Sequence, residues 1–204
     1  MARTQSPDHQ LQRDEILERA AQAFAANSYP GTSMNDLASA CGTSKARLYH
    51  YYPSKDAILF DLLDRYTGVL ISIAQTHAGL PALIEAFLVE YEHSQTRHIA
   101  LLNDVKFLEE PQRRRILDAQ RQVVDLFTQA IQRAYPGSTT EKNRSAVTML
   151  LFGMINWTFT WLKPDQDASG KMSYKDFAKL VTGVFMHGMD SLSADKAGQS
   201  GSPE

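Results

Sequence analysis

Apolar residues recur along most of the chain at steps of three and four, and strict alternation is scarce, so the pattern predicts an all-α protein of about nine helices. Ile16, Leu17, Ala20, Ala21 and Phe24 make one face of a first helix over about 11–27. Ser28-Tyr29-Pro30-Gly31 breaks it. Thr32 or Ser33 caps a short second helix whose inward residues are Met34, Leu37, Ala38 and Cys41. Gly42 ends that helix by taking a left-handed backbone, and Thr43 or Ser44 caps a third over roughly 44–51. Pro53 stops it, Ser54 recaps, and a long fourth helix runs from Lys55 to about His77 with Leu59, Leu62, Leu63 and Tyr66 on its buried face. Five more follow at about 82–95, 97–108, 111–135, 141–163 and 173–192, with breaks at Pro111, at Pro136-Gly137 and from Pro164 to Gly170. The expected organisation is a flexible arm at 1–10, a small domain at 11–53, a larger one at 54–192, and a polar, disordered tail at 193–204.

Two short helices joined by a glycine turn are the sequence form of a helix-turn-helix, whose second helix enters the DNA major groove. Placing Leu48 inward puts Ser44 and Tyr52 near the same side, and Ala46, Arg47, Tyr49 and His50 then face out. A solvated helix has little use for an outward tyrosine, whereas a DNA-facing one can set its hydroxyl on phosphate. Ala46 lets the helix come close to the bases and can touch a thymine methyl.

The stretch Gly42-Thr-Ser-Lys-Ala-Arg-Leu-Tyr-His-Tyr-Tyr, with Ser54-Lys55-Asp56 and Leu59 after it, resembles the signature of TetR-family regulators. Ile16, Ala20, Phe24 and Gly31-Thr32-Ser33 match that family's opening helix, so the resemblance covers about residues 12–60. It implies a three-helix DNA-binding domain followed by a helical ligand-binding and dimerisation domain. Position by position, it implies phosphate contacts by Thr43, Ser44, Tyr49, His50 and Tyr51, base contacts by Lys45, Ala46 and Arg47, and a backbone contact by Lys55. Thr32 and Ser33, inside the same stretch, join the DNA-binding set. Arg47 stands where the family commonly has a small polar residue, so the operator cannot be borrowed from relatives. The expected partners are double-stranded DNA with an inverted-repeat operator and a second copy of the chain. The family builds its dimer from the last two long helices, and the apolar run Leu150 to Leu162 and the stripe Phe177, Leu180, Val181, Val184, Phe185 agree with that. A monomeric core would explain those stripes too.

Composition narrows the picture. At 43% hydrophobic residues the chain can pack a core, and no uninterrupted apolar run approaches the roughly 18 residues of a membrane span. The polar start, Met1 to Gln12, has no stretch of signal-peptide length, and the single cysteine, Cys41, reads as a small core residue; both point to the cytoplasm. Net charge is −2, and residues 1–60 balance Arg3, Arg13, Arg19, Lys45, Arg47 and Lys55 against Asp8, Asp14, Glu15, Glu18, Asp36 and Asp56. Binding to DNA therefore rests on a few placed groups and not on a broad basic field. Arg3 reads as a disordered terminus or as a minor-groove arm. His93 and His98 read as surface histidines rather than metal ligands, and Glu90, Asp104 and Glu109 as ordinary helix surface. Arg113-Arg114-Arg115 reads as a solvated helix start, a second nucleic-acid patch or a ligand-phosphate site. No phosphate-cradling glycine loop, nucleophile elbow or metal-spaced cluster marks an enzyme, and no metal or resident cofactor is expected.

The family's inducer cavity lies among the fourth to eighth helices, and here the candidates are Phe87, Tyr91, Asn103, Phe107, Arg114, Phe127, Asn156, Trp157 and Trp161. Asn156 to Asp165 resembles the corresponding part of family members that sense acyl-coenzyme A and control fatty-acid or aromatic-acid breakdown. The implied effector is an acyl-coenzyme A thioester. A neutral hydrophobic inducer, or a ligand-independent DNA-organising protein on the same fold, are the alternatives.

Overall fold

The computed structural model describes residues 7–77, 79–163 and 172–199. Among them lie nine α-helices: α1 (Pro7–Gly31), α2 (Met34–Ala40), α3 (Lys45–Tyr51), α4 (Lys55–Thr76), α5 (Leu80–His93), α6 (Gln95–Asn103), α7 (Gln112–Ala134), α8 (Arg144–Ile155) and α9 (Tyr174–Gln199). Short 3-10 turns sit at Val105–Phe107 and Thr158–Thr160. No strand occurs among the described residues. Arg3 and residues 200–204 lie outside them, and α9 carries on to Gln199, past the stop expected at 192.

Chain contacts divide the molecule into two compact units, residues 1–68 with 96–119, and residues 69–95 with 120–204. The first unit is therefore larger than the segment 11–53 read from sequence, because α6, the 3-10 turn after it and the start of α7 pack with the helix-turn-helix. Its apolar centre joins Ile16, Leu17, Ala20, Ala21 and Phe24 of α1 to Leu37, Leu48, Ile58, Leu59 and Leu62. α1 is continuous to Asn27 and bends at Ser28, whose φ of 62° and ψ of 160° lie outside helical space. Charge pairs tie the later segment down: Arg97 to Glu18 at 2.7 Å, and Arg115 to both carboxylate oxygens of Asp64 at 2.6 and 2.8 Å.

The corner after α1 is held by a third cluster. The Tyr29 hydroxyl donates to Asp56 at 2.5 Å, its backbone N–H donates to the Asp104 carboxylate, and Phe107 stacks on its ring with centroids 5.5 Å apart. Asp104 is thus buried, not a surface residue, and desolvation raises its pKa. His98 is buried as well, its ring edge-on to Tyr66 at 6.2 Å, so it too is not the surface histidine expected from the sequence.

The second unit is an aromatic core. Phe127 meets Phe87 edge to face at 4.6 Å and Phe152 at 4.8 Å, and Leu83, Leu151, Ile155 and Val181 close around them. The helix expected over 141–163 begins at Arg144 and stops at Ile155. The run after it, Trp157-Thr-Phe-Thr-Trp, consists of residues that lose rotamer freedom in a helix. Thr158 and Thr160 turn their hydroxyls onto the carbonyls of Ile155 and Trp157, at 3.0 and 2.6 Å, which favours the tighter 3-10 turn.

Candidate nucleic-acid interface

The interface is built on the turn between α2 and α3. Ser33 caps α2: its hydroxyl accepts from the Asp36 N–H at 3.2 Å while the Asp36 carboxylate accepts from the Ser33 N–H at 2.8 Å. At the other end the Gly42 N–H donates to Ser39 and the Thr43 N–H to Ala38, at 3.0 and 2.9 Å, with Gly42 at φ 60°. This is a Schellman closure, and the left-handed position it needs costs a glycine least. Ser44 then starts α3 by accepting the Arg47 N–H at 3.2 Å.

α3 has seven residues, of which Leu48 alone is wholly buried. With Leu48 pointing in, Ala46, Arg47, Tyr49 and His50 lie on the exposed side, as the sequence predicts; Lys45 is exposed beside them and Tyr51 is half-buried. The Lys45 ammonium sits 6.0 Å from the Tyr49 ring centroid. Ser44 is exposed and Thr43 half-buried at the turn. The exposed side thus groups two cations, an imidazole and a phenol around one small residue, a set able to meet both phosphate oxygens and base edges.

Two members of the expected DNA-binding set are placed differently. Thr32 is buried, and its hydroxyl donates to the Ser28 carbonyl at 2.9 Å and the Ala23 carbonyl at 3.3 Å; it holds the corner after α1 and presents nothing to a groove. The Lys55 ammonium donates to the carbonyls of Tyr29 and Thr32, at 2.8 and 2.7 Å, and lies 4.1 Å from the Tyr29 ring centroid. Two of its three donors therefore bind carbonyls at the end of α1 and just past it, a helix-terminus role for a cation. Sequence reasoning missed His9. Its ring packs against Tyr51 at 4.9 Å and near His50 at 6.3 Å, and a surface depression of about 430 Å³ is lined by Asp8, His9, Leu11, Gln12, Arg47 and Tyr51. Residue 9 precedes the apolar repeat, so no periodicity signals it.

The expected effector residues scatter. Phe87, Tyr91 and Phe127 share the second unit's core, and the Tyr91 hydroxyl donates to the side-chain oxygen of the half-buried Asn156 at 3.0 Å. Phe107, Asn103 and Arg114 belong to the first unit, where Phe107 covers Tyr29, Asn103 is exposed, and Arg114 lies 3.6 Å from Glu110. Trp157 and Trp161 are 64% and 53% exposed, because α8 ends before them and turns them outward; they do not line the interior. Met149, Leu150, Leu180, Val184 and Leu192 are exposed too, and α9 carries an apolar groove of about 400 Å³ beside Leu180, Gly183 and Val184. A side chain added at Gly153 would meet nothing within 4 Å.

A short, capped helix offering a polar and basic face through a glycine turn is the reading head of a helix-turn-helix DNA-binding regulator. Comparison with known proteins narrows this class. Residues 16–62 match the bacterial regulatory proteins of the tetR family, and residues 74–189 match the tetracyclin repressor-like C-terminal domain. The chain belongs to the TetR family of transcriptional regulators; it is a DNA-binding repressor and not an enzyme. It is 35% identical to a TetR-family regulator of Bordetella parapertussis, over 85% of this chain and 93% of that one, with a TM-score of 0.77. AibR, solved in complex with isovaleryl coenzyme A and operator DNA, is 25% identical over 85% of this chain and 97% of its own, with a TM-score of 0.73. The repressor KstR2 of Mycobacterium tuberculosis is 28% identical over 136 residues, 60% of this chain and 68% of KstR2. Across the curated relatives compared, the matched stretch spans as little as 18% of the relative's length. Among the described residues no helix is long and apolar enough to cross a membrane.

Proposed function

We propose that this repressor binds an inverted-repeat operator as a symmetric dimer and leaves it when an acyl-coenzyme A thioester binds. The observation that carries the DNA half is the outward set on α3: Arg47 reads a base, Lys45 and Ala46 lie beside it, and Ser33, Thr43, Ser44, Tyr49, His50 and Tyr51 meet the backbone. A bidentate arginine–guanine contact is worth ~1–3 kcal/mol of discrimination. Lys55 acts mainly by closing α1, so Lys55→Ala lowers thermal stability and leaves the salt slope of DNA binding nearly unchanged.

The dimer rests on the exposed apolar residues of α8 and α9. Met149 and Leu150 of α8 and Leu180 and Val184 of α9 would sit in water in a lone chain, and exposed apolar surface of that kind supports an association face. A two-fold interface matches a two-fold operator. Because Gly153 is exposed and a Cβ added there would meet nothing within 4 Å, Gly153→Leu should act on association more than on the core. Light scattering on that variant and on Leu150→Asp should report monomers, and dimers of undiminished affinity in both would overturn the assignment.

For the effector, the likeness to AibR supports an acyl-coenzyme A thioester. One observation favours the alternative of a neutral hydrophobic compound: Arg97, Arg113 and Arg115 already face Glu18, Glu110 and Asp64 at 2.7, 3.2 and 2.6 Å. Phosphates would have to displace those carboxylates. Gel shifts with selected DNA against coenzyme A, free acids, isovaleryl coenzyme A and longer esters separate the two. Release by an ester alone supports the thioester; release only by an uncharged hydrophobe supports the alternative.

A further inference from the structure

A seven-residue helix is only about 10 Å long, so its own hydrogen bonds set its direction weakly, and its ends must be fixed from outside. The start of α3 is fixed by the Gly42 turn and its middle by Leu48. Its end is fixed by Tyr52, the C-terminal cap, which is 1% exposed. The Tyr52 hydroxyl donates to Asp61 Oδ2 at 2.6 Å and accepts from Arg13 Nε at 3.2 Å. The Arg13 guanidinium lies 4.5 Å from the Tyr52 ring centroid and donates from Nη2 to the same Asp61 oxygen at 2.8 Å. Arg65 Nε donates to the other Asp61 oxygen at 2.9 Å, and Arg65 also pairs with Asp14.

One carboxylate on α4 therefore gathers donors from α1, from the cap of α3 and from its own helix. We propose that Asp61 is a positioning residue for DNA recognition. Through Tyr52 and Arg13 it holds the end of α3 against α1 and α4, and so sets which base edges Lys45, Ala46 and Arg47 can reach. The inference rests on the reading of α3 as the recognition helix.

Stability alone does not account for the arrangement. A phenylalanine at position 52 would fill the same space without burying a hydroxyl. The Arg13–Asp61 pair, with side chains 23% and 20% exposed, contributes to stability, but it needs no phenol hydroxyl to form. What a satisfied polar network does provide is one geometry: slipping α3 by a single ångström would misalign several bonds at once. Burial pushes the Asp61 carboxyl up, but the donors from Tyr52, Arg13 and Arg65 outweigh it and hold the group below the usual aspartate range, so it stays a charged acceptor.

The test compares two duplexes of equal length: one selected by the unchanged protein from random DNA, and one with that sequence shuffled. Unfolding or loss of dimer weakens both alike, so their affinity ratio isolates positioning. Tyr52→Phe keeps the packing and removes one hydroxyl; Asp61→Asn keeps the shape and removes the charge. Each should weaken the selected duplex about 30-fold or more, the loss expected for one misaligned base contact in each of two half-sites, and leave the shuffled duplex within about 2-fold. A ratio unchanged in Tyr52→Phe overturns the proposal and leaves the network a stabilising one. Should the unchanged protein itself prefer no duplex, the recognition reading falls first and this inference with it.

Discussion

The two units solve the packing problem in opposite ways. In the first, buried or half-buried polar groups meet across helices: Asp61 with Tyr52 and Arg13, Tyr29 with Asp56 and Asp104, Lys55 with the end of α1. In the second, Phe127 meets Phe87 edge to face and Phe152 at a tilt, and the described side-chain bonds between helices, such as Tyr91 to Asn156 and Thr128 to Thr148, involve uncharged groups. Hydrogen bonds tolerate small errors in angle and distance poorly, whereas apolar contacts trade partners at modest cost. A surface that must match DNA at base-pair spacing gains from the first kind of core. A domain that must change shape around an effector gains from the second.

The contrast is broken most severely at the aromatic centre. Phe127→Ala should cost roughly 3–5 kcal/mol of unfolding free energy, read from urea midpoints, because it removes a fully buried ring and leaves a cavity. A loss under about 1 kcal/mol would mean the second unit collapses around the gap and has no packed centre.

The next effect is on pH, and two carboxylates of the first unit, half-buried Asp61 and buried Asp104, should act with opposite sign. Asp61 is held below its ordinary range, so its contribution is complete above that range and is lost as pH falls through the folded value. Asp104 is raised by burial against the weaker pull of the Tyr29 N–H, Lys106 and Lys55. Its charged form therefore costs stability above the folded value, and acid relieves that cost. Asp61→Asn should flatten the acid loss of stability below about pH 4. Asp104→Asn, which keeps an acceptor for the Tyr29 N–H, should raise stability at pH 7 and by progressively less towards pH 4. Urea titrations at both pH values check this, and equal behaviour of the two variants would contradict it.

The smallest effect sits at the bend of α1. Ser28 holds a backbone conformation that non-glycine residues adopt at a cost of roughly 1–3 kcal/mol. Ser28→Gly should raise the thermal midpoint, by something nearer the lower figure since glycine also loses more freedom on folding. A lowered midpoint would show that the Ser28 side chain does more than the strain costs.

Much of this was legible in the residues. Leu48 and the cap at Ser44 orient α3 because helix period and capping are local, and Gly42 announces the turn for the same reason. Periodicity relates a residue to its own helix axis and says nothing of which neighbour covers it. Asp104 and His98 therefore read as surface, although one face of α6 and the residue after it are buried in the first unit. Lys55 read as a phosphate ligand, although its partners are carbonyls 23 and 26 residues back. Arg13 and Asp61 stand 48 residues apart, beyond any local pattern. Trp157 and Trp161 were misplaced because an apolar run over 150–162 reads as one helix, while threonine hydroxyls end α8 at Ile155.

The central claim is that the outward face of α3 chooses the operator, with Arg47 reading a base. Selection of binding sites from random DNA, run in parallel with the unchanged protein and Arg47→Ala, tests it directly. The account predicts a palindromic site for the unchanged protein, and for the variant the same site with preference relaxed at one base pair in each half. An identical base preference in both selections would contradict it.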